Sequence, residues 1–151
     1  MLLVLFIWII YSIIEGKREA NYWHHKINST QYQIFESVNE HGLFMVQRGL
    51  VLILISIIVH LITGNLLWVL YFITMNALIF SFFHNGSMYN ERYLMSKKVN
   101  PDKPSLWVYN KRWWSQSTTS TAVLTKFMSP ISRTIQVLIG VIGYIVYPFI
   151  T

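Results

Sequence analysis

The chain has 151 residues, of which 54% are hydrophobic and only 12% charged. Soluble domains carry about a quarter charged residues and disordered chains combine low hydrophobicity with high charge, so both classes are excluded. The absence of cysteine excludes disulfides, thiolate zinc sites and Cys-ligated clusters, and a net charge of +6 acts in such a chain first as a membrane-topology signal and only second as a nucleic-acid signal.

The first predicted helix covers residues 2–23. Its apolar run, residues 1–14, is broken only by Tyr11 and Ser12, and gives about 21 Å of helix against roughly 30 Å of hydrocarbon. There is no basic leader and no small-x-small cleavage site, so it does not read as a cleaved signal peptide. The helical pattern continues through Glu15, Arg18, Glu19 and Tyr22, which predicts a retained spanning helix with charged last turns. Residues 24–42 follow as a polar segment, in which Tyr32 and Phe35 continue the mixture of aromatics and charges begun by Tyr22 and Trp23. That mixture suits a piece lying at the headgroup boundary.

Residues 43–63 and 65–84 are the longest apolar stretches, interrupted by Gln47, Arg48 and His60 in the first and by Asn76 in the second. Each is long enough to cross a bilayer. Thr63, Gly64 and Asn65 between them form a turn signal, so the two are predicted to pack as an antiparallel helical hairpin. Residues 85–130 form a second polar segment. Residues 100–104 read as a turn. Trp107, Tyr109, Trp113 and Trp114 crowd around Lys111 and Arg112. Such a mixture can stack nucleic-acid bases, but in a membrane protein it reads as an interfacial belt beside anionic lipid. The hydroxyl run at residues 115–121 reads as a helix cap. The last span is predicted at residues 131–150, with Pro130 in its first turn and Pro148 at its far end. Gln136, Gly140, Gly143, Tyr144 and Tyr147 fall on one face with Arg133, as a helix-packing face would require.

With four crossings, all 12 Lys and Arg and all six carboxylates fall on one side. The positive-inside rule makes that side cytoplasmic and puts both termini outside, in a plasma or inner membrane. The sequons at Asn28 and Asn85 then face the cytoplasm and are expected to stay unglycosylated. The expected fold is therefore a single all-α membrane domain, residues 1–151, with four transmembrane helices and a short interfacial cytoplasmic cap.

Glu15 and Glu19 stand at i and i+4 and share a helix face. The topology gathers them with Arg48 and His84 at one depth, where a charge is costly unless it meets protein or water. Arg48 is the natural partner for a carboxylate, Glu15 first. Two readings stay open for this cluster: a structural salt bridge and a functional site. Glu15, Glu19 and His84 have the chemistry of metal ligands, but no HExxH and no repeated histidine box appears, so neither metal nor cofactor is expected. Nor is there a G-x-S-x-G, a phosphate-cradling glycine loop or a carbonyl filter, and His60 reads as interfacial.

Three function classes survive. The first is a small polytopic protein that self-associates, forming or gating a pore through the glycine face of the last helix. The second is an accessory subunit that docks a cytoplasmic or membrane-protein partner or anionic lipid head groups through its basic aromatic cap. The third is a membrane-embedded enzyme with a Glu/His site at the cytoplasmic boundary. They rank in that order, and the expected partners are the bilayer, another copy or another membrane protein, and anionic head groups rather than nucleic acid.

Overall fold

The computed structural model describes residues 1–28, 40–99 and 129–150. They form four helices: α1 (Leu2–Asn28), α2 (Glu40–Thr63), α3 (Leu66–Val99) and α4 (Pro130–Ile150). Every helix differs from its predicted bounds, and α3 differs most, running to Val99 instead of stopping at residue 84. Its apolar run does end there. The hydrogen-bond ladder of a helix needs no apolar side chains, however, and the next proline in the chain is Pro101, which disfavours helix at the residue before it. For the same reason α1 outlasts its apolar half by several turns. The proposed turn at residues 100–104, the aromatic belt at 107–114, the hydroxyl cap at 115–121 and most of the first polar segment lie outside the described residues.

The helix ends are set locally. Gly64 adopts φ +64° after α2, a conformation natural to glycine, and its N–H donates to the His60 carbonyl at 2.8 Å. Asn65 Oδ1 then accepts the Leu67 N–H at 2.9 Å and caps α3. Ser129 caps α4 in the same way, its Oγ accepting the Ser132 N–H at 3.1 Å.

α3 is the central helix, with α1, α2 and α4 packed around it. α1 runs parallel to it: Trp8 Nε1 donates to the Asn76 carbonyl at 2.7 Å, and Gly16 lies against His84 and Ser87 two turns further on. α2 and α4 run antiparallel to α3. The largest core joins Val4, Leu5 and Trp8 of α1, Ile55 and Val59 of α2, Val69, Phe72 and Ile79 of α3, and Val137 and Tyr144 of α4. Large apolar side chains also cover the outside, including Leu50, Ile53, Leu54, Ile57 and Leu61 of α2 and Ile135, Leu138, Ile142 and Ile145 of α4.

Three helices are long and apolar enough to cross a membrane, in the segments Val46–Thr63, Leu66–Met95 and Ile131–Ile150. α1 has the length, but Glu15, Lys17, Arg18 and Glu19 follow its apolar half. Every Lys, Arg, Asp and Glu among the described residues lies toward the end of the bundle that holds Asn28, Glu40, Val99 and Pro130.

The glycine face of α4 meets α3 of the same chain. A Cβ on Gly140 would come within 2.6 Å of Ile79 Cγ1 and 2.9 Å of the Met75 carbonyl, and one on Gly143 would collide with the Met75 side chain. Tyr144 donates to Asn76 Oδ1 at 2.6 Å, and Tyr147 packs edge-on against Trp68 with centroids 4.7 Å apart. Gln136 turns back along its own helix to the Ser132 hydroxyl at 3.1 Å. This face, expected to pack on a helix of the same chain or of a second copy, thus packs on α3.

Candidate functional site

The site forms where α1 approaches α3 most closely. Ser12, Gly16 and Ala20, at four-residue spacing, are all buried, and Gly16 leaves no room for a side chain between itself and α3. Small residues at this spacing let two helices come together in an apolar medium. The neighbouring positions then press Glu15 and Glu19 into the junction, where they keep only 1% and 4% of their surface exposed.

Glu15, Glu19, Arg48 and His84 are brought together from three helices. Arg48 Nη2 donates to Glu19 Oε2 at 2.7 Å, and its Nε lies 3.4 Å from Glu15 Oε1. Glu19 is therefore the closer partner of Arg48, while Glu15 is held more tightly by Arg18 Nη2 at 3.0 Å. Arg18 also donates to Gln47 Oε1, tying α1 to the first turns of α2. His84 Nε2 lies 2.9 Å from Glu19 Oε2 and 3.1 Å from Arg48 Nη2. A carboxylate can only accept, so His84 Nε2 carries a proton and both nitrogens converge on the same oxygen. The other ring nitrogen, Nδ1, is 3.0 Å from Asn85 Oδ1. The imidazole stacks on Phe80, 4.7 Å between centroids, and the Arg48 guanidinium sits 5.3 Å from the same ring. The Arg48 side chain, 26% exposed, forms the open edge of the cluster.

Charge is balanced before the histidine is counted. Two carboxylates, Glu15 and Glu19, face two guanidiniums, Arg18 and Arg48. His84 is a further group, oriented by Glu19 at Nε2 and facing Asn85 Oδ1 with Nδ1. As placed, Asn85 offers its oxygen to a protonated Nδ1, and turning the amide over would offer its nitrogen to an unprotonated one. Such an arrangement can take up and return a proton at Nδ1. Among the described residues, no group of three or more His, Asp or Glu side chains is arranged to hold a metal ion. Arg48 occupies the space between the carboxylates that a cation would need.

Sequence reasoning passed over two features. One is Gly16, whose signal was the Ser12–Gly16–Ala20 spacing on α1. The other is the environment of Arg133, which was read as one more basic residue on the face of α4. Arg133 is fully buried, and its Nε, Nη1 and Nη2 have no hydrogen-bond partner among the described residues. The Tyr89 hydroxyl is within electrostatic reach of both Arg133 and Arg92. Higher in the bundle, Asn76 Nδ2 and the Tyr11 hydroxyl are likewise buried without partners. No protein-family model, curated protein or solved structure matches this chain.

Proposed function

We propose that the chain is a four-span integral membrane protein with both termini outside and that its buried cluster is a proton-transfer site, the centre of a membrane-embedded enzyme. The fourth span is α1, whose Leu2, Leu3, Phe6, Ile7, Ile10 and Ile14 are all exposed and would otherwise face water. The one-sided distribution of charge supports the orientation. In this reading the cluster lies at the cytoplasmic boundary, within reach of head groups and soluble substrates alike.

The observation that carries the enzymatic reading is the surplus imidazole. A structural lock between α1 and α2 needs only the carboxylates and guanidiniums. His84 adds an imidazole, fixed in orientation by Glu19 at Nε2 and met at Nδ1 by Asn85, whose amide can turn over as a proton leaves or arrives. His84 is the general base, Glu19 its positioning residue, and Arg48 holds Glu19 in place. The self-associating pore loses its main support, because α3 occupies the glycine face that recommended it.

The test compares cells making the wild-type protein with cells making His84→Gln, by mass spectrometry of lipid and aqueous extracts. Species that change with the wild type and not with His84→Gln, while the variant purifies with unchanged thermal stability, support the enzyme. Identical profiles from two well-folded proteins overturn it. Orientation is read separately by cysteine labelling, which is clean in a chain with no native cysteine. Thr151→Cys is expected to react with an impermeant reagent on intact cells and Lys103→Cys to be protected; the reverse pattern overturns the orientation.

A further inference from the structure

Arg133 is the one buried cation whose charge nothing described in the fold answers. Its side chain is completely enclosed, and among the described residues all three guanidinium nitrogens lack a hydrogen-bond partner and no ion pair reaches it. A desolvated, unpaired guanidinium is far more expensive than a paired one. Its position makes the imbalance worse. Arg133 stands in the first turn of α4, where the helix dipole already places partial positive charge, and that turn contains no acidic residue. Helical side chains lean toward the N-terminus of their own helix, which carries the guanidinium over that end. Ser129 Oγ takes the Ser132 N–H, Pro130 has no N–H, and the Arg133 N–H is spent on the Ser129 carbonyl at 3.0 Å. The Ile131 N–H is left in the first turn without an intrahelical partner.

We infer that Arg133 and the first turn of α4 bind a phosphate group. Two features favour phosphate over a single carboxylate. The guanidinium offers a planar fork of donors, which matches phosphate oxygens. The helix end adds a backbone donor and dipole. Gly140 packs beside Met75 and Ile79, and two helical turns back toward the start of α4 bring Arg133 to about the level of His84. At that depth the phosphate can belong to a lipid head group or to a soluble molecule. The site is independent of proton transfer at His84.

The experiment is thermal unfolding of the purified protein in neutral detergent, with inorganic phosphate, with phosphatidic acid, or with diacylglycerol of the same acyl chains. Phosphatidic acid is expected to raise the wild-type Tm by about 5 °C when it is well above its Kd, and diacylglycerol to leave it unchanged. A rise with inorganic phosphate as well identifies a soluble source, and a rise with the lipid alone a head group. Arg133→Met is expected to abolish the rise and, without anion, to be at least as stable as the wild type, because it deletes an unanswered charge. Arg133→Lys, which keeps the charge but not the fork, should reduce the rise. Absence of any rise in the wild type, an undiminished rise in Arg133→Met, or a marked loss of stability in anion-free Arg133→Met each overturns the site. His84→Gln should keep the full rise, so failure of the enzymatic reading and failure of the phosphate site give different results.

Discussion

Arg48 and Arg133 occupy similar depths beside α3, one on α2 and the other on α4, and the fold treats them in opposite ways. Arg48 meets two carboxylates, an imidazole and the face of Phe80, and it keeps an edge exposed. Arg133 has no exposed edge and no partner among the described residues. Both would be costly alone in an apolar setting. A cation whose counter-charge is built into the same chain acts as a strut. One whose counter-charge has to arrive from elsewhere acts as a receptor.

The largest effect expected from breaking this contrast is on the strut. Arg48→Met leaves Glu19 and Glu15 under-compensated, and because the side chain is partly exposed the loss should sit at the low end of the buried-pair range, about 3 kcal/mol in unfolding free energy of the solubilised protein. A stability equal to wild type would mean that Arg48 is no strut. Next comes the interface that holds α4 in place. Gly140→Leu forces a branched side chain against Ile79 and the Met75 carbonyl and should cost about 2 kcal/mol, with particle mass unchanged. Ile142→Leu, on the exposed side, should change neither. A fall in mass on Gly140→Leu would return the glycine face to a second copy.

Smaller effects sharpen the picture of Arg48 itself. A double-mutant cycle of Glu19→Gln with Arg48→Gln should show a coupling of about 1.5 kcal/mol. The Glu15–Arg48 cycle should show less, since 3.4 Å separates that pair against 2.7 Å for the other. Equal couplings, or strict additivity for Glu19, would contradict the geometry. The smallest effect belongs to Tyr144→Phe, which removes the 2.6 Å bond to Asn76. Hydrogen bonds between helices in lipid contribute about 0.6 kcal/mol on average, and a circular-dichroism melt should find a loss of that order.

The helical hairpin was legible because two apolar runs flank Gly64, and the meeting of Glu15, Glu19, Arg48 and His84 was legible because topology fixes depth. The order of preference within the cluster was not. Glu15 is the carboxylate nearer the apolar run, yet the rotation of α1 against α3 gives Arg48 its closest contact at Glu19. Rotation depends on packing at Gly16 and Ala20, which periodicity alone does not resolve. The length of α3 was missed for a related reason: hydropathy marks where lipid contact ends, whereas the helix continues until the backbone forbids it. Arg133 was the hardest to read. Its place on the packing face of α4 follows from periodicity, but periodicity does not tell that it is fully buried there without a hydrogen-bond partner among the described residues.

Gly16 ties packing to chemistry in a way that bears on how this chain can vary. A Cβ there would collide with the His84 carbonyl and the Ser87 hydroxyl, so the separation of α1 and α3 leaves no room for a side chain. Glu19 lies one turn along from Gly16, and His84 is one of the two residues that a Cβ at position 16 would strike, with Ser87. Any side chain at position 16 would act as a shim, widening the gap between carboxylate and imidazole by about the thickness of the inserted group. A 1 Å misplacement of reacting groups can cost about a hundredfold in rate. With proton transfer as proposed, drift at this position would be filtered through that chemistry well before it unfolded the bundle, so alanine here should be rarer among working variants than folding alone would demand.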